Sequence, residues 1–316
     1  MPGIFDALPG IEISVASISK GLAQMWAGNA TEGKPSPSSD LAKAIQVNFV
    51  LHLGLRTDAA DAVHQFETAV KFSRRYPCRV VVLCPLSADE GRTDIRAKVY
   101  GECTLGKTKG DTRCCEFVML SYPRSARIFL ESQVSICLST DLPLYYWAHR
   151  FSESAKLADY RYLLTSAKRV LIDSATAPAD SVNFAWPKPQ NVRDLAYARL
   201  LPVRQSIGQF LSRYPAKAIG ENLTGIELAH GSEMAAEAKV LLGWVRDRVA
   251  ASGGPADVGT EALRRRSGRH QAVSAHARRV VPVRIDAGEH ATAEAGGWAD
   301  RRPGIGIALG AVDETA

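Results

Sequence analysis

Residues 79–84 read RVVVLC, an unbroken run of β-branched and apolar side chains set between Pro77 and Pro85. An amphipathic helix would space its apolar residues by three and four, and a strand with one wet face would alternate them. A short continuous run marks a strand covered on both faces, and such a strand belongs to a sheet with helices packed on it. Working outward, residues 45–55 (IQVNFVLHLGL) alternate apolar and other side chains and read as a second strand. Thr57 and Asp58 then supply caps for a helix reaching about Arg75, which Pro77 ends. Residues 94–103 and 112–122 are strand-like and flank a loop rich in Gly and Lys, which predicts a hairpin. A helix is expected over 125–139 and an aromatic strand over 142–147 (LPLYYW), with Pro143 at its start or on a sheet edge. Residues 152–165 predict a helix and 168–173 (KRVLID) a buried strand. Strands alternating with helices, interrupted by a hairpin, predict an α/β fold: a mixed β-sheet with flanking helices.

The ends of the chain read differently. Over 11–27, Ile13, Val15, Ile18, Leu22, Met25 and Trp26 recur at near-helical spacing, and a Gly/Pro/Ser/Asn-rich linker follows over 28–39. Residues 191–214 predict a long helix kinked or broken at Pro202, and 232–249 another helix. From Val240 onward Arg, Ala and Gly dominate, and from about 253 Arg264, Arg265 and Arg266 repel one another, Pro282 breaks the run 280–285, and Trp298 is the sole aromatic residue. A poorly packed tail is expected there, and the abrupt change of composition reads as an altered frame in the gene. The expected division is an N-terminal helix and linker (1–40), an α/β domain with the hairpin (41–150), a helix-rich α/β domain (151–252) and the basic tail (253–316).

A chain of 316 residues with 46% hydrophobic and 23% charged residues has enough apolar content for real cores. The start, MPGIFDALPG, has no basic stretch leading into an apolar one, and no uncharged apolar run approaches bilayer length, so a cytoplasmic protein without membrane contact is expected. The net charge of +6 is scattered among acids and not gathered into a stripe, which argues against nucleic-acid binding. Six cysteines (Cys78, Cys84, Cys103, Cys114, Cys115, Cys137) form no CxxC pair and no zinc spacing, so no metal and no cofactor are expected and buried free thiols are the expectation. The alternative is a redox pair. Cys114 and Cys115 point to opposite faces of a strand, with Cα atoms about 3.8 Å apart, closer than the roughly 4.4 to 6.8 Å a disulfide prefers. Cys103, across the hairpin, is the better-placed partner for one of them.

The sharpest motif is Gly101 to Thr108 (GECTLGKT), which fits GxxxxGK[ST], with Asp173 at the end of a strand as a Walker-B-like acid. A phosphate loop works because free backbone N–H groups at a helix N-terminus face the anion, with the lysine, here Lys107, reaching the terminal phosphates. Gly110 and the strand-like residues after it supply no helix, so the segment reads as a hairpin loop. There is no GxSxG, HExxH or kinase signature, and the seven histidines are dispersed, so no enzyme activity is expected.

Three strings in order, Tyr76 to Leu83 (YPCRVVVL), Thr112 to Val118 (TRCCEFV) and Asp141 to Trp147 (DLPLYYW), resemble the OpcA family. Arg169 to Ser174 and Asp194 to Arg204 extend the likeness, which covers roughly 11–249 and falls on Arg79, Glu116, Asp141, Asp173, Arg199 and Arg204. Two departures stand out: Trp147-Ala148 replaces a second aromatic pair, and the closing strands of the family are not recognisable. The resemblance implies a non-catalytic assembly or allosteric subunit that activates glucose-6-phosphate dehydrogenase of the oxidative pentose phosphate pathway. It also gives a thiol switch at Cys103, Cys114 and Cys115 some grounds, since photosynthetic members are thought to link carbohydrate oxidation to redox state. The alternative function is a nucleotide- or sugar-phosphate-binding α/β protein using Gly101 to Thr108. Tyr145, Tyr146 and Trp147 are chemically suited to anchor a partner, or else to fill the sheet core.

Overall fold

A computed structural model describes residues 3–33, 36–37, 46–86, 91, 93–105, 112–213, 215, 223, 225–255, 259–264 and 280–284. The chain divides into two compact units, Met1–Asp194 and Leu195–Ala316.

The first unit opens with a short helix α1 (Ile4–Ala7), strand β1 (Ile11–Ile13) and helix α2 (Ile18–Thr31). The expected helix over 11–27 is thus split. Its first three residues pair antiparallel with β4 (Arg96–Leu105), and the helix runs on through Gly28 into the stretch read as linker. β2 (Val47–Leu53) is buried at every position, so its alternation separates two buried faces and not a wet from a dry one. Helix α3 (Ala59–Arg75) starts where expected, with the Asp58 carboxylate accepting from the Asp61 N–H at 2.8 Å. Then come β3 (Cys78–Pro85), the hairpin of β4 and β5 (Thr112–Tyr122), helix α4 (Arg127–Cys137), β6 (Leu144–His149), α5 (Arg161–Ser166), β7 (Ala167–Ile172) and β8 (Val192–Asp194).

The sheet order is β1-β4-β5-β3-β2-β6-β7-β8. Strands β5-β3-β2-β6-β7-β8 are mutually parallel, the order of a doubly wound sheet whose reversal lies between β2 and β6. The antiparallel β4 makes it mixed, as expected. One face carries α2, α4 and α5 over Val50, Val81, Leu83, Val118, Leu120 and Tyr146. On the other, Phe66 and Phe72 of α3 meet Phe117 and Phe49. β7 and β8 complete this sheet, so the first unit extends to Asp194, whereas the sequence placed a boundary at 150.

The second unit contains α6 (Leu195–Arg199), α7 (Leu201–Leu211), β9 (Gly225–His230), α8 (Ala235–Ala251), β10 (Gly259–Arg264) and β11 (Val280–Arg284). The long helix expected over 191–214 begins as β8 and breaks at Leu200. Pro202 sits in the first turn of α7, where its missing N–H costs no helical bond. β10 and β11 flank β9 in a parallel three-stranded sheet. Pro282, expected to break its run, lies in an edge strand, which tolerates a residue without an N–H. The rest of the expected tail, with Arg265, Arg266 and Trp298, falls outside the described residues. Among the described residues no helix is long and apolar enough to cross a membrane.

Candidate functional site

The segment resembling a phosphate loop resolves into strand. Gly101 to Leu105 end β4, and the next described residues, from Thr112, run back antiparallel as β5, so the described flanks are those of a hairpin. Lys107 lies outside the described residues. Asp173 accepts from the Ala175 N–H at 3.1 Å and shapes the turn after β7.

Gly101 has another duty. It sits opposite Glu116, which in turn sits opposite Arg79, so one rung crosses β4, β5 and β3. A Cβ on Gly101 would lie 2.5 Å from Trp26 Cη2, and the indole of Trp26 fills that space. Its Nε1–H donates to Glu116 Oε1 at 3.0 Å, while Arg79 Nε and Nη2 donate to Oε2 at 3.1 and 2.6 Å. Arg79 Nη1 reaches the carbonyl of Cys137 at 3.4 Å, tying the rung to the end of α4. Both family-motif residues of this sheet therefore meet beneath α2. They form the floor of a cleft of about 170 Å³ whose walls are Ile18, Ser19 and Leu22 on one side and Ile136 on the other.

Two rungs toward the hairpin tip, Cys103 and Cys114 form a disulfide, which replaces the expectation that all six thiols are free. Cys115 points to the opposite face, where its Sγ–H donates to the Ser73 carbonyl at 3.2 Å and burial pushes its thiol up. Cys78, Cys84 and Cys137 are buried and free, and burial raises Cys84 to about 12 and Cys137 to about 11.

Doubly wound sheets take ligands at the carboxyl ends of the strands flanking the reversal. Here that crevice is occupied by the chain itself. His149, at the end of β6, donates from Nε2 to Asp61 Oδ2 at 2.8 Å, and Arg150 Nε approaches the same oxygen at 3.0 Å. Burial alone would raise the Asp61 carboxyl, but hydrogen bonds from His149 and Gln65 and the Arg150 charge hold it below its usual value. Arg150 has a left-handed backbone, φ 47°, and its carbonyl lies 2.3 Å from where a Cβ on Gly54 would be, so only glycine fits at the end of β2. With Asp58 as the N-cap of α3 and Asp61 in its first turn, that helix end already holds two carboxylates.

Deeper under the α5 face, His52 Nδ1 meets Tyr146 Oη at 2.5 Å and Nε2 meets Tyr122 Oη at 2.9 Å, while Tyr122 and Tyr160 join at 2.7 Å. Burial lowers His52 to about 3, so the imidazole is neutral, donating through one nitrogen and accepting through the other. Tyr146, a proposed partner anchor, is thus fully buried. Trp147 is buried against Phe49 on the other face, and only Tyr145 is partly exposed. These aromatics are sheet core because β6 is covered on both sides.

The remaining family-motif residues are scattered. Asp141 is exposed before β6, with Thr140 Oγ1 donating to it at 3.4 Å. In the second unit Arg199 pairs with Glu237 at 2.7 Å, and Arg204 stacks 3.6 Å from the Tyr197 ring centroid while donating to the Tyr197 carbonyl.

The sequence model of a family described as the glucose-6-phosphate dehydrogenase subunit N-terminal domain matches residues 69–186. Two curated relatives, both called OxPP cycle protein OpcA, are similar to this chain. The one from Synechocystis sp. is 27% identical over 180 residues, covering 55% of this chain and 37% of its own. That from Nostoc punctiforme is 23% identical over 195 residues, covering 57% and 40%. The chain thus spans about two fifths of the length of the curated relatives it matches. No solved structure matches it. The matched segment runs from within α3 through β3, the hairpin, α4, β6 and β7, and so includes Arg79 and Glu116 of the rung and His149 and Arg150 of the crevice; over this segment the chain is similar to the OpcA family.

Proposed function

We propose that this protein is a cytoplasmic, non-catalytic subunit that binds glucose-6-phosphate dehydrogenase, helps it reach its active oligomeric form and raises its activity. The observation that carries this reading is the family match over residues 69–186, whose description names a subunit of that enzyme. Two local features support a binding role. The strand-end crevice is filled by His149, Asp61 and Arg150, and the flanks of the phosphate-loop-like segment are paired as a hairpin. A redox input is proposed at the hairpin, because the Cys103–Cys114 bond lies two rungs from Glu116 on the same strand pair. The test is direct. Purified protein added to the dehydrogenase of its own organism should raise activity or substrate affinity, or shift the oligomer on sizing, and should leave glucose 6-phosphate alone unchanged. Unaltered kinetics at micromolar protein together with separate migration overturn the reading.

A further inference from the structure

The outer side of α4 is unusually apolar for a surface helix. Ile128, Phe129 and Ile136 are 79%, 59% and 71% exposed. At 3.6 residues per turn they share, with Ser132, an arc of roughly 100°, opposite the buried Leu130, Val134 and Cys137. Single exposed apolar residues need no explanation, but three clustered on one short helix form a patch of the kind that marks interaction sites.

The patch is a ridge bordering two clefts, both on the flank of α4 that faces α2 and the residues before β4. Ile136 borders the 170 Å³ cleft over the Arg79–Glu116 rung. Phe129 and Gln133 border a second, of about 530 Å³, whose far wall is Val15, Asp94 and Ile95. The three ridge side chains supply roughly half of the ~800 Å² per partner that a stable interface needs, and the two clefts along the α2 flank of α4 supply additional surface next to them. The polar groups differ between the clefts. Next to Ile136 are the Ser19 hydroxyl and the guanidinium edge of Arg79, both donors; next to Phe129 is Asp94, which makes no ion pair among the described residues.

From this we infer that the α4 ridge with its two flanking clefts is the surface that docks onto the dehydrogenase. The inference rests on the function proposed above. The occupant presents apolar side chains along the exposed ridge of α4 and into the two clefts on its α2 flank, a hydrogen-bond acceptor toward Arg79 and Ser19, and a cation toward Asp94. A second copy of this chain fits less well. A twofold pairing of α4 with α4 would set ridge on ridge and leave both unlike clefts unfilled, whereas a different protein can cover the ridge and reach into the clefts on its α2 flank.

The test uses the full chain carrying Ile128→Asp and Ile136→Asp together, with Leu55→Asp as a control at a 46% exposed apolar residue on the loop after β2. Binding to the dehydrogenase, measured by sizing and by titrated activation, should weaken roughly tenfold or more for the double variant and stay unchanged for the control. Asp94→Lys should weaken it by a smaller factor. Circular dichroism and melting should match the parent, and the milder pair Ile128→Ser with Ile136→Ser serves if they do not. Parent and double variant binding equally overturns the docking surface and leaves the proposed function standing. A parent that fails to bind removes both. Self-association of the parent that the double variant abolishes, with dehydrogenase binding intact, assigns the ridge to a second copy and overturns the inference.

Discussion

Trp26 and Gly101 occupy complementary space: the indole Cη2 stands 2.5 Å from the point where a side chain at residue 101 would begin, and Met25 Cε stands 2.4 Å from it. Gly101→Ala must therefore displace α2 or the ring. We expect a loss of about 1–3 kcal/mol in denaturant unfolding and a shift in Trp fluorescence. Lys107→Ala should leave activation intact and remove no nucleotide binding. Saturable ATP binding lost in that variant would restore the phosphate-loop reading.

Glu116 joins α2 to β3 by accepting from both Trp26 and Arg79. Glu116→Ala removes both bonds, and because Arg79 retains 29% exposure its orphaned charge is partly solvated. A destabilisation of about 1–3 kcal/mol is expected, less than for a fully buried pair. A double-mutant cycle with Trp26→Phe should show coupling, and strict additivity would separate the two contacts.

His52 gives stability a pH dependence of predictable sign. Its folded value of about 3 lies below the roughly 6.5 of the unfolded chain, so between these values the unfolded state binds the extra proton. The contribution is fully present above about pH 6.5 and is lost as pH falls toward 3. His52→Gln should be less stable at neutral pH and show a flatter acid limb in pH-dependent melting. A parallel acid limb in the variant would assign the effect elsewhere.

Reducing the Cys103–Cys114 bond opens a loop of sequence separation 11, worth roughly 2–3 kcal/mol in the chain-entropy account. Unfolded under oxidising conditions the chain should titrate as four thiols, those of Cys78, Cys84, Cys115 and Cys137, and under reduction as six. If oxidation state tunes the partner, activation should differ between the two conditions and Cys103→Ser should be insensitive. Equal activation in both makes the disulfide purely structural.

The run at 79–84 and the alternation at 45–55 made the parallel core readable, because burial on both faces leaves a direct mark in residue type. The hairpin was readable from its loop, and so was Cys103 as the partner of one of the adjacent cysteines. Strand β1 was not, since three residues with Ile11 and Ile13 on one side fit either period. Nor was the role of Trp26: its bond to Glu116 spans 90 positions, and only a lone glycine on the facing strand hints at it. Tyr146 and Trp147 misled because a surface anchor and a core strand call for the same side chains. The exposed α4 ridge was hidden for a similar reason, since Ile128 and Ile136 look like core until the facing residues are known.

The interlock of Gly54 with Arg150 bears on how this fold is open to change. Where most doubly wound sheets keep a vacancy at the ends of their middle strands, here backbone presses on backbone, so no single substitution reopens it; enlarging residue 54 only tightens the jam. Helices on one face of the sheet are joined by another route: the end of α4 meets Arg79 through the Cys137 carbonyl, and Arg79 meets Glu116 and so the indole of Trp26, a line of hydrogen bonds that runs across the strands and not along them to their carboxyl ends.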